Sequence, residues 1–586
     1  MTRFIATLIT IWRLASPYFR SEDRWPGRLL LAAVIGIELG NVTITVLLNQ
    51  WNNRFYTAVQ DRSWDSFVAE LAYFCVLAAI NIVLAVYQLY LNQWLQIRWR
   101  RFMTARYLDH WLEAGNHYRM QLMGDAADNP DQRIAEDIRL FIEKTLEISI
   151  GLLSSTVTLG SFVVILWSLS AQAPLHLFGG VWAIPGYLVW AALLYAVLGT
   201  VAAHLIGRPL IDLNFKQQRF EADFRFDLVR VRENGEQIAL LAGEKAERNR
   251  LLDRFGAVMG NWFKIMTRQK KLSFFTAGYN QVSTVFPVVV VSPAYFAGAM
   301  NLGGLMQTAA AFGSVQQALS FFVTSYRQLA EWRAVIERLA GFERAIAGGR
   351  ALADAPGAIK VEPRPGLPGV EVGAIDIHLP SGAPLVVAEN MKFGGGDRVL
   401  VNGPSGAGKS TLFRAISGVW PFGAGAIAVP VDKSVMMLPQ RPYLPIGSLI
   451  AAVSYPASPN RFGAAKVRAV FEAVGLSALA GRLDEEAHWN RMLSLGEQQR
   501  LAIARAILHA PDYLFLDEAT ASLDEPSEAA LYRLLHERLP GAAIISIGHR
   551  STLRAFHGRA FVLEREGACY RVREDALASA VAPTPG

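Results

Sequence analysis

The chain has 586 residues, too many for one ordinary domain, and its apolar fraction of 52% with a mean hydropathy of +0.24 lies above a typical soluble composition. The net charge of +7 would suit nucleic acid, but Lys and Arg fall in the connections between apolar stretches rather than in one stripe, which points to membrane orientation and against a nucleic-acid partner. Only two cysteines occur, Cys75 and Cys569, which argues against a disulfide framework or a cysteine metal site.

The opening segment MTRFIATLITIWRLASPYFR carries Arg13 and Arg20 in a short apolar patch without a small-residue cleavage site, and reads as an interfacial helix. Six stretches then supply the roughly twenty apolar residues a helix needs to cross hydrocarbon, near 29–48, 71–96, 146–170, 177–206, 273–300 and 305–327. The connections after the second and fourth are rich in Arg and Lys, from Arg98 to Arg119 and from Arg208 to Lys271, whereas those after the third and fifth hold none. Positive connections stay in the cytoplasm, so both termini are expected there. The two long connections are amphipathic and helix-prone, levers that extend past the bilayer. A Gly/Pro-rich stretch over 345–369 reads as a linker between a membrane domain, 1–344, and an α/β domain with a largely parallel sheet, 370–586.

In that second domain the strand DRVLVN runs into Gly403-Pro404-Ser405-Gly406-Ala407-Gly408-Lys409-Ser410, with Thr411 in the helix that follows, and fits the phosphate-loop pattern G-x-x-x-x-G-K-[ST]. Glycines let backbone N–H groups curl around phosphates, and the helix N-terminus adds its dipole. Lys409 neutralises the β and γ oxygens, and the Ser410 hydroxyl suits Mg2+. Further on, YLFLDE is an apolar strand ending in Asp517 for the metal and Glu518 for the attacking water. Alone, two acids at a strand end are usually structural; paired with the loop they predict a site for ATP and Mg2+.

Upstream of that strand LSLGEQQR, Leu493 to Arg500, resembles the signature sequence of the ABC ATPases. The resemblance implies that Ser494 and Gly496, at a helix start, meet the γ-phosphate of ATP held by a second copy, so that one chain does not complete its own site. Leu495 replaces the usual glycine and Glu497 the usual glutamine. Gln440 in MLPQRPYLP matches the glutamine loop, Asp524 in ASLDEPSE the dimer-contact loop, and His549 in SIGHR the switch histidine. On this resemblance Glu518, His549 and Gln440 are catalytic, and Ser410, Gln440 and Asp517 face the metal. The aromatic that usually stacks on adenine is missing around 374–380, where His378 or Leu379 is left to serve.

In the membrane half, NQWNNRFYTAVQ, IRWRRFMTARYLDHWL, DNPDQRIAED and RENGEQIALLAGE resemble the bacterial SbmA/BacA family of peptide-uptake proteins and, given the fused ATPase, its YddA/BclA branch. The ABCD group shares these strings more loosely. The resemblance implies a six-helix, exporter-like membrane domain fused to a P-loop ABC ATPase, working as a homodimer in the bacterial inner membrane. It implies import of antimicrobial peptides, bleomycin-like compounds or cobalamin, with an exporter of lipids, drugs or acyl-CoA-like compounds as the alternative. A tethered, non-transporting ATPase is the other class, disfavoured because an anchor needs one helix.

Glu38 falls inside the first apolar stretch, where a carboxyl is costly. It reads equally as a cavity group, for cationic cargo or a proton path, and as a satisfied polar residue near an interface. Asn280, Gln281 and Gln307 read as helix–helix hydrogen-bonding groups ahead of cavity groups. Trp51, Phe55 and Tyr56 suit an aromatic belt or a gate. Asp131, Gln132 and Glu136 read either as a coupling element on the cytoplasmic side or as a solvated helix.

Overall fold

The computed structural model describes residues 2–124, 129–172, 175–177, 180–182, 184–321 and 325–575. The chain folds as two compact units, Met1–Leu108 with Asn129–Gly341, and Asp109–Asp128 with Phe342–Gly586.

The first unit is helical. The expected interfacial helix is α1 (Thr2–Ala15), and behind it Tyr18 is buried, stacked 5.7 Å from Trp99. Five long helices follow: α2 (Arg24–Gln60), α3 (Trp64–Leu112), α4 (Ile138–Gln172), α5 (Tyr187–Glu233) and α6 (Glu244–Phe296). Each carries a window long and apolar enough to cross a bilayer, and between 6% and 22% of that window is buried in the fold. So much exposed apolar surface requires a lipid solvent, in which helices satisfy their own backbone. The sixth expected stretch carries α7 (Leu302–Leu319), and its residues 322–324 lie outside the described residues. The next helix, α8 (Tyr326–Ala353), runs on toward the second unit.

The polar groups inside the apolar stretches are mostly paired. Glu38 accepts a hydrogen bond from Gln88 of α3, whose side-chain oxygen accepts from Asn41 at 2.7 Å. Gln307 of α7 is buried, its backbone and side-chain oxygens accepting from Asn49 and Asn53 of α2 at 3.0 and 2.6 Å. Asn280 and Gln281 are exposed. Trp51 ties α2 to α3 by donating to the Glu70 carbonyl at 2.8 Å and stacking on Phe55 and Phe74, both at 4.8 Å. Before α4 the backbone loosens into one π turn, Arg133–Asp137, which rotates Arg133 and Asp137 inward. Asp137 is 2% exposed and accepts from Arg133 at 2.7 Å and from Arg338 of α8 at 2.9 and 2.6 Å. Asp131, Gln132 and Glu136 point to solvent, with Gln132 donating to Glu136 at 3.3 Å.

In the second unit β1 (Ile375–His378), β2 (Pro384–Ala388), β3 (Arg398–Asn402), β4 (Val435–Leu438), β5 (Tyr513–Asp517), β6 (Ala543–Ile547), β7 (Arg559–Glu566) and β8 (Cys569–Asp575) form one sheet. Its order is β4-β5-β6-β3-β7-β8-β2-β1, with Gly423–Ala424 on the far edge. From β4 to β7 all pairs are parallel, as the alternating pattern predicts; beyond β7 the pairs β7–β8 and β1–β2 are antiparallel. β6 is buried along its whole length and β5 over Tyr513–Leu516, which explains their unbroken apolar sequences. The stretch 345–369 holds the end of α8 and a strand, Lys360–Arg364, and its glycines and prolines mark the turns around them.

Residues Asp109–Asp128, which follow the second apolar stretch, are built into this same unit. In its short helix Asn116–Leu122, buried Asn116 donates to the Ile346 carbonyl at 3.2 Å and Arg119 to the Gly418 carbonyl at 3.2 Å. A Cβ on Gly349 would sit 2.2 Å from Asn116, so the close approach requires glycine. Leu122 adds apolar contact with the sheet core.

Behind the sheet, His557 is 6% exposed, its Nδ1 facing the Leu553 carbonyl at 2.7 Å and its Nε2 the Ser546 hydroxyl at 2.9 Å. Burial pulls its pKa down to about 4, so the fold holds it neutral. Below about pH 6.5 the unfolded chain gains a proton that the fold refuses, so stability is whole above pH 6.5 and falls until about pH 4. The loss reaches about 3 kcal/mol. Thermal unfolding of the second unit's transition should therefore shift down from pH 7 to pH 5, and His557→Gln should flatten that slope; an unchanged slope would remove His557 from this role.

Candidate functional site

Parallel strands end on the same edge of a sheet, and the loops there converge. β3 delivers the loop Gly403–Ser410 and then helix α9 (Lys409–Ile416), β5 delivers Asp517 and Glu518, and β6 delivers His549. The loop backbone needs its glycines: Gly403, Gly406 and Gly408 have φ of 153°, 78° and 90°. A Cβ on Gly408 would lie 2.5 Å from Val386, whereas one on Gly406 would meet nothing within 4 Å, so the loop packs inward on β2 and opens outward. Ala407 and Thr411 are buried beneath it.

Ser410 donates to Asp517 Oδ1 at 2.9 Å, which joins two of the three groups expected to face the metal. These are hard oxygen donors on an open edge, and they fit Mg2+. Burial pushes the Asp517 carboxyl above its ordinary range, opposed by the Ser410 hydrogen bond, and burial also pushes the Lys409 ammonium down, opposed by Glu518 and Asp517. Lys409 donates back to the Gly403 and Pro404 carbonyls at 2.9 Å each. A partly desolvated cation and carboxylates side by side suit an incoming polyanion with its own cation, which restores full charge to both.

Glu518 is the centre of the arrangement. Gln440 Nε2 donates to its Oε2 at 3.0 Å, and His549 Nε2 lies 3.0 Å from its Oε1. Its backbone is left-handed, φ 49°, and its N–H donates to the Ile547 carbonyl at 3.2 Å, so the β5–β6 pairing aims the carboxylate. All three expected catalytic residues thus meet in one place.

Among the described residues the Ser494 side chain makes no hydrogen bond to this cluster. Ser494 caps α10 (Leu495–His509) in a reciprocal capping box: its hydroxyl accepts from the Glu497 N–H at 3.3 Å, while the Glu497 carboxylate accepts from the Ser494 N–H at 2.9 Å. The departure to Glu at 497 therefore has a local role. Gly496 has the Leu523 side chain 3.2 Å from where its Cβ would be, which lets the loop before α11 (Glu525–Arg538) pack closely. Asp524 is exposed at the start of α11. Of the two candidates for the base, His378 is held 3.0 Å from Asp376, and Leu379 is left as exposed apolar surface at the β1–β2 turn.

Two residues of the site escaped the sequence reading. Gln499, 0% exposed, donates to the Gln440 carbonyl at 3.2 Å and accepts from the Ser522 N–H at 3.0 Å, so one amide fixes both the glutamine loop and the loop bearing Asp524. It stands in the EQQR end of the signature run; the signal for its burial is its place on the apolar face that continues through Ala502 and Ile503. Arg550, beside His549, donates to the Leu523 and Ala521 carbonyls at 2.7 and 3.2 Å and so clamps that loop from the other side.

Residues 14–296 match the family described as "ABC transporter transmembrane region 2" and residues 388–521 the family described as "ABC transporter". The Escherichia coli "Inner membrane ABC transporter ATP-binding protein YddA" is 35% identical over 541 residues, 92% of this chain and 94% of that one. The mouse "Lysosomal cobalamin transporter ABCD4" is 27% identical over 539 residues, 86% of each chain. The structure of a bacterial Atm1-family ABC exporter with ATP bound shares the fold, with a TM-score of 0.72 at 18% identity over 92% of this chain and 93% of that one.

Replacing Glu518 by Gln keeps the phosphate contacts and removes the base, so labelled ATP should still bind while turnover falls at least about a hundredfold. Undiminished turnover would exclude Glu518 as the base. Gln499→Met keeps the volume but releases both loops; kcat should drop about tenfold with the KM for ATP nearly unchanged. A variant that melts normally and keeps full kcat would show Gln499 to be packing alone.

Proposed function

The chain belongs to the ABC transporters, an ATP hydrolase fused to its membrane domain, and from that premise we propose that two copies sandwich two ATP molecules and move a peptide or similarly amphiphilic molecule into the cell across the bacterial inner membrane. The observation that carries the reading is the division of the nucleotide site. Gln440, His549 and Glu518 are assembled beside Ser410 and Asp517, whereas among the described residues the Ser494 side chain bonds only to Glu497 of its own helix. A hydrolytic centre is assembled without the signature serine, which is left for a second copy. When bound, Mg2+ supplies charge neutralisation at the phosphates, with Ser410 and Asp517 as its protein partners and Gln440 at its edge. Glu518, oriented by Gln440 and His549, takes the proton of the attacking water, and Lys409 offsets the charge on the phosphate oxygens.

Coupling to the membrane runs through the end of α3, whose residues 109–112 belong to the nucleotide-binding unit while the rest of the helix belongs to the first unit. Asp131, Gln132 and Glu136 are also assigned a coupling role, beside the Asp137–Arg338 pair. Both termini are cytoplasmic. Peptide cargo and inward direction rest on the SbmA/BacA-like strings of the membrane domain, and Glu38 supplies a carboxylate for cationic cargo. Export of lipids, drugs or acyl-CoA-like compounds is the second reading, favoured by the likeness to the Atm1-family exporter fold.

In liposomes with the nucleotide-binding units outside, ATP should drive labelled cationic peptide from the lumen to the outside; the opposite net movement would establish export, and ATP hydrolysis without flux would reject transport. Mixed dimers test the shared site. With Lys409→Ala on one chain and Ser494→Ala on the other, one site stays intact and turnover should persist. With both changes on one chain and none on its partner, both sites are damaged and turnover should collapse. The reverse pattern would mean that each chain completes its own site.

A further inference from the structure

Helices α5 and α6 run side by side and are pinned where buried Asn261 of α6 donates to the Leu213 carbonyl and the Gln217 side-chain oxygen of α5, at 2.8 and 2.9 Å. Beside this pin an open groove of about 570 Å³ is lined by Pro209, Asp212 and Leu213 of α5 and by Phe263, Lys264, Thr267, Arg268 and Lys271 of α6. Pro209 brings no N–H to its helix, so the Leu205 carbonyl loses its usual donor and α5 is free to bend there. Lys264, Arg268 and Lys271 stand at i, i+4 and i+7, one face of α6, and are exposed. Among the described residues none of the three forms an ion pair. The one carboxylate of the lining, Asp212, is engaged by Lys216 at 2.7 Å. The cavity therefore holds three uncompensated positive charges within a wall that also offers the rings and chains of Phe263, Leu213 and Pro209.

Its level along the helices matters as much as its charge. The apolar stretch of α5 ends near 206 and that of α6 begins near 273, so the cavity opens in the first turns beyond the hydrocarbon, on the side of the positively charged connections. Toward the hydrocarbon, Leu205 and Phe274 are 68% and 85% exposed. Cations just outside the bilayer with apolar surface just inside match a molecule that is anionic at its head and apolar at its tail. Basic pockets between membrane helices on the cytoplasmic side are suited to phosphate headgroups.

We infer that this cavity binds the phosphate headgroup of an acidic amphiphile at the cytoplasmic leaflet, with Lys264, Arg268 and Lys271 on the phosphate and the tail along Leu205 and Phe274. The shared chemistry is a phosphate ester on an apolar chain, whether it belongs to a bilayer lipid or to a soluble phosphorylated amphiphile. The inference is independent of the cargo.

The test uses the full chain purified into nanodiscs of phosphatidylcholine with about one-fifth phosphatidylglycerol, read by native mass spectrometry for retained lipid. The wild type should retain phosphatidylglycerol over phosphatidylcholine, and the triple variant Lys264→Gln, Arg268→Gln, Lys271→Gln should lose that preference at least about tenfold. Lys245→Gln with Arg248→Gln, on the same helix but outside the cavity, should keep it. Addition of lysophosphatidic acid separates the sources: displacement of the retained lipid assigns the site to soluble phosphorylated amphiphiles as well, and no displacement assigns it to bilayer lipid. Equal retention by wild type and triple variant, or loss in the control variant to the same degree, would overturn the proposal.

Discussion

The nucleotide-binding unit depends on holding one carboxylate, Glu518, between two donors while a second, Asp517, stays beside the Ser410 hydroxyl. Like charges in adjacent residues repel, and partial burial makes each costly, so neither position is stable unless neighbours are fixed. The parallel sheet does the fixing. β3, β5 and β6 are neighbours in register, and a slip by one residue would turn every functional group at their ends to the wrong face. Their unbroken burial is thus a requirement of the site as much as of stability.

Around that centre, two side chains set the loops that reach it. Gln499 joins the glutamine loop to the loop bearing Asp524, and Arg550 holds the latter from beside His549. Together they make the sensors of one site continuous with the helix that begins at Ser494. One side chain thus links the helix that begins at Ser494 to the backbone of Gln440, whose amide donates to Glu518.

The phosphate loop, the acidic strand end and the switch histidine were legible because each is a local pattern: a glycine spacing, an apolar run followed by acids, a histidine after a strand. The apolar helices were legible from length alone. What stayed hidden depends on partners distant in sequence. Gln499 stands in the signature run with no local pattern to mark its partners, and Asp137 shares its stretch with Asp131 and Glu136, where one π turn, invisible to a helical period, decides which of them faces inward. The stretch 345–369 looked like a linker since turns and linkers share a composition, yet its strand pairs with Ala426–Pro430. The placement of residues 109–128 within the nucleotide-binding unit follows from Asn116 and Gly349, which are 233 positions apart in the chain and carry no shared pattern.

The capping box at Ser494 has one more consequence. Because Glu497 already satisfies the first turn of α10, that turn is rigid before any anion arrives, and no conformational freedom remains to be lost there. If a second copy brings its phosphate here as proposed, the Ser494 hydroxyl would exchange its Glu497 acceptor for that anion on a prebuilt surface.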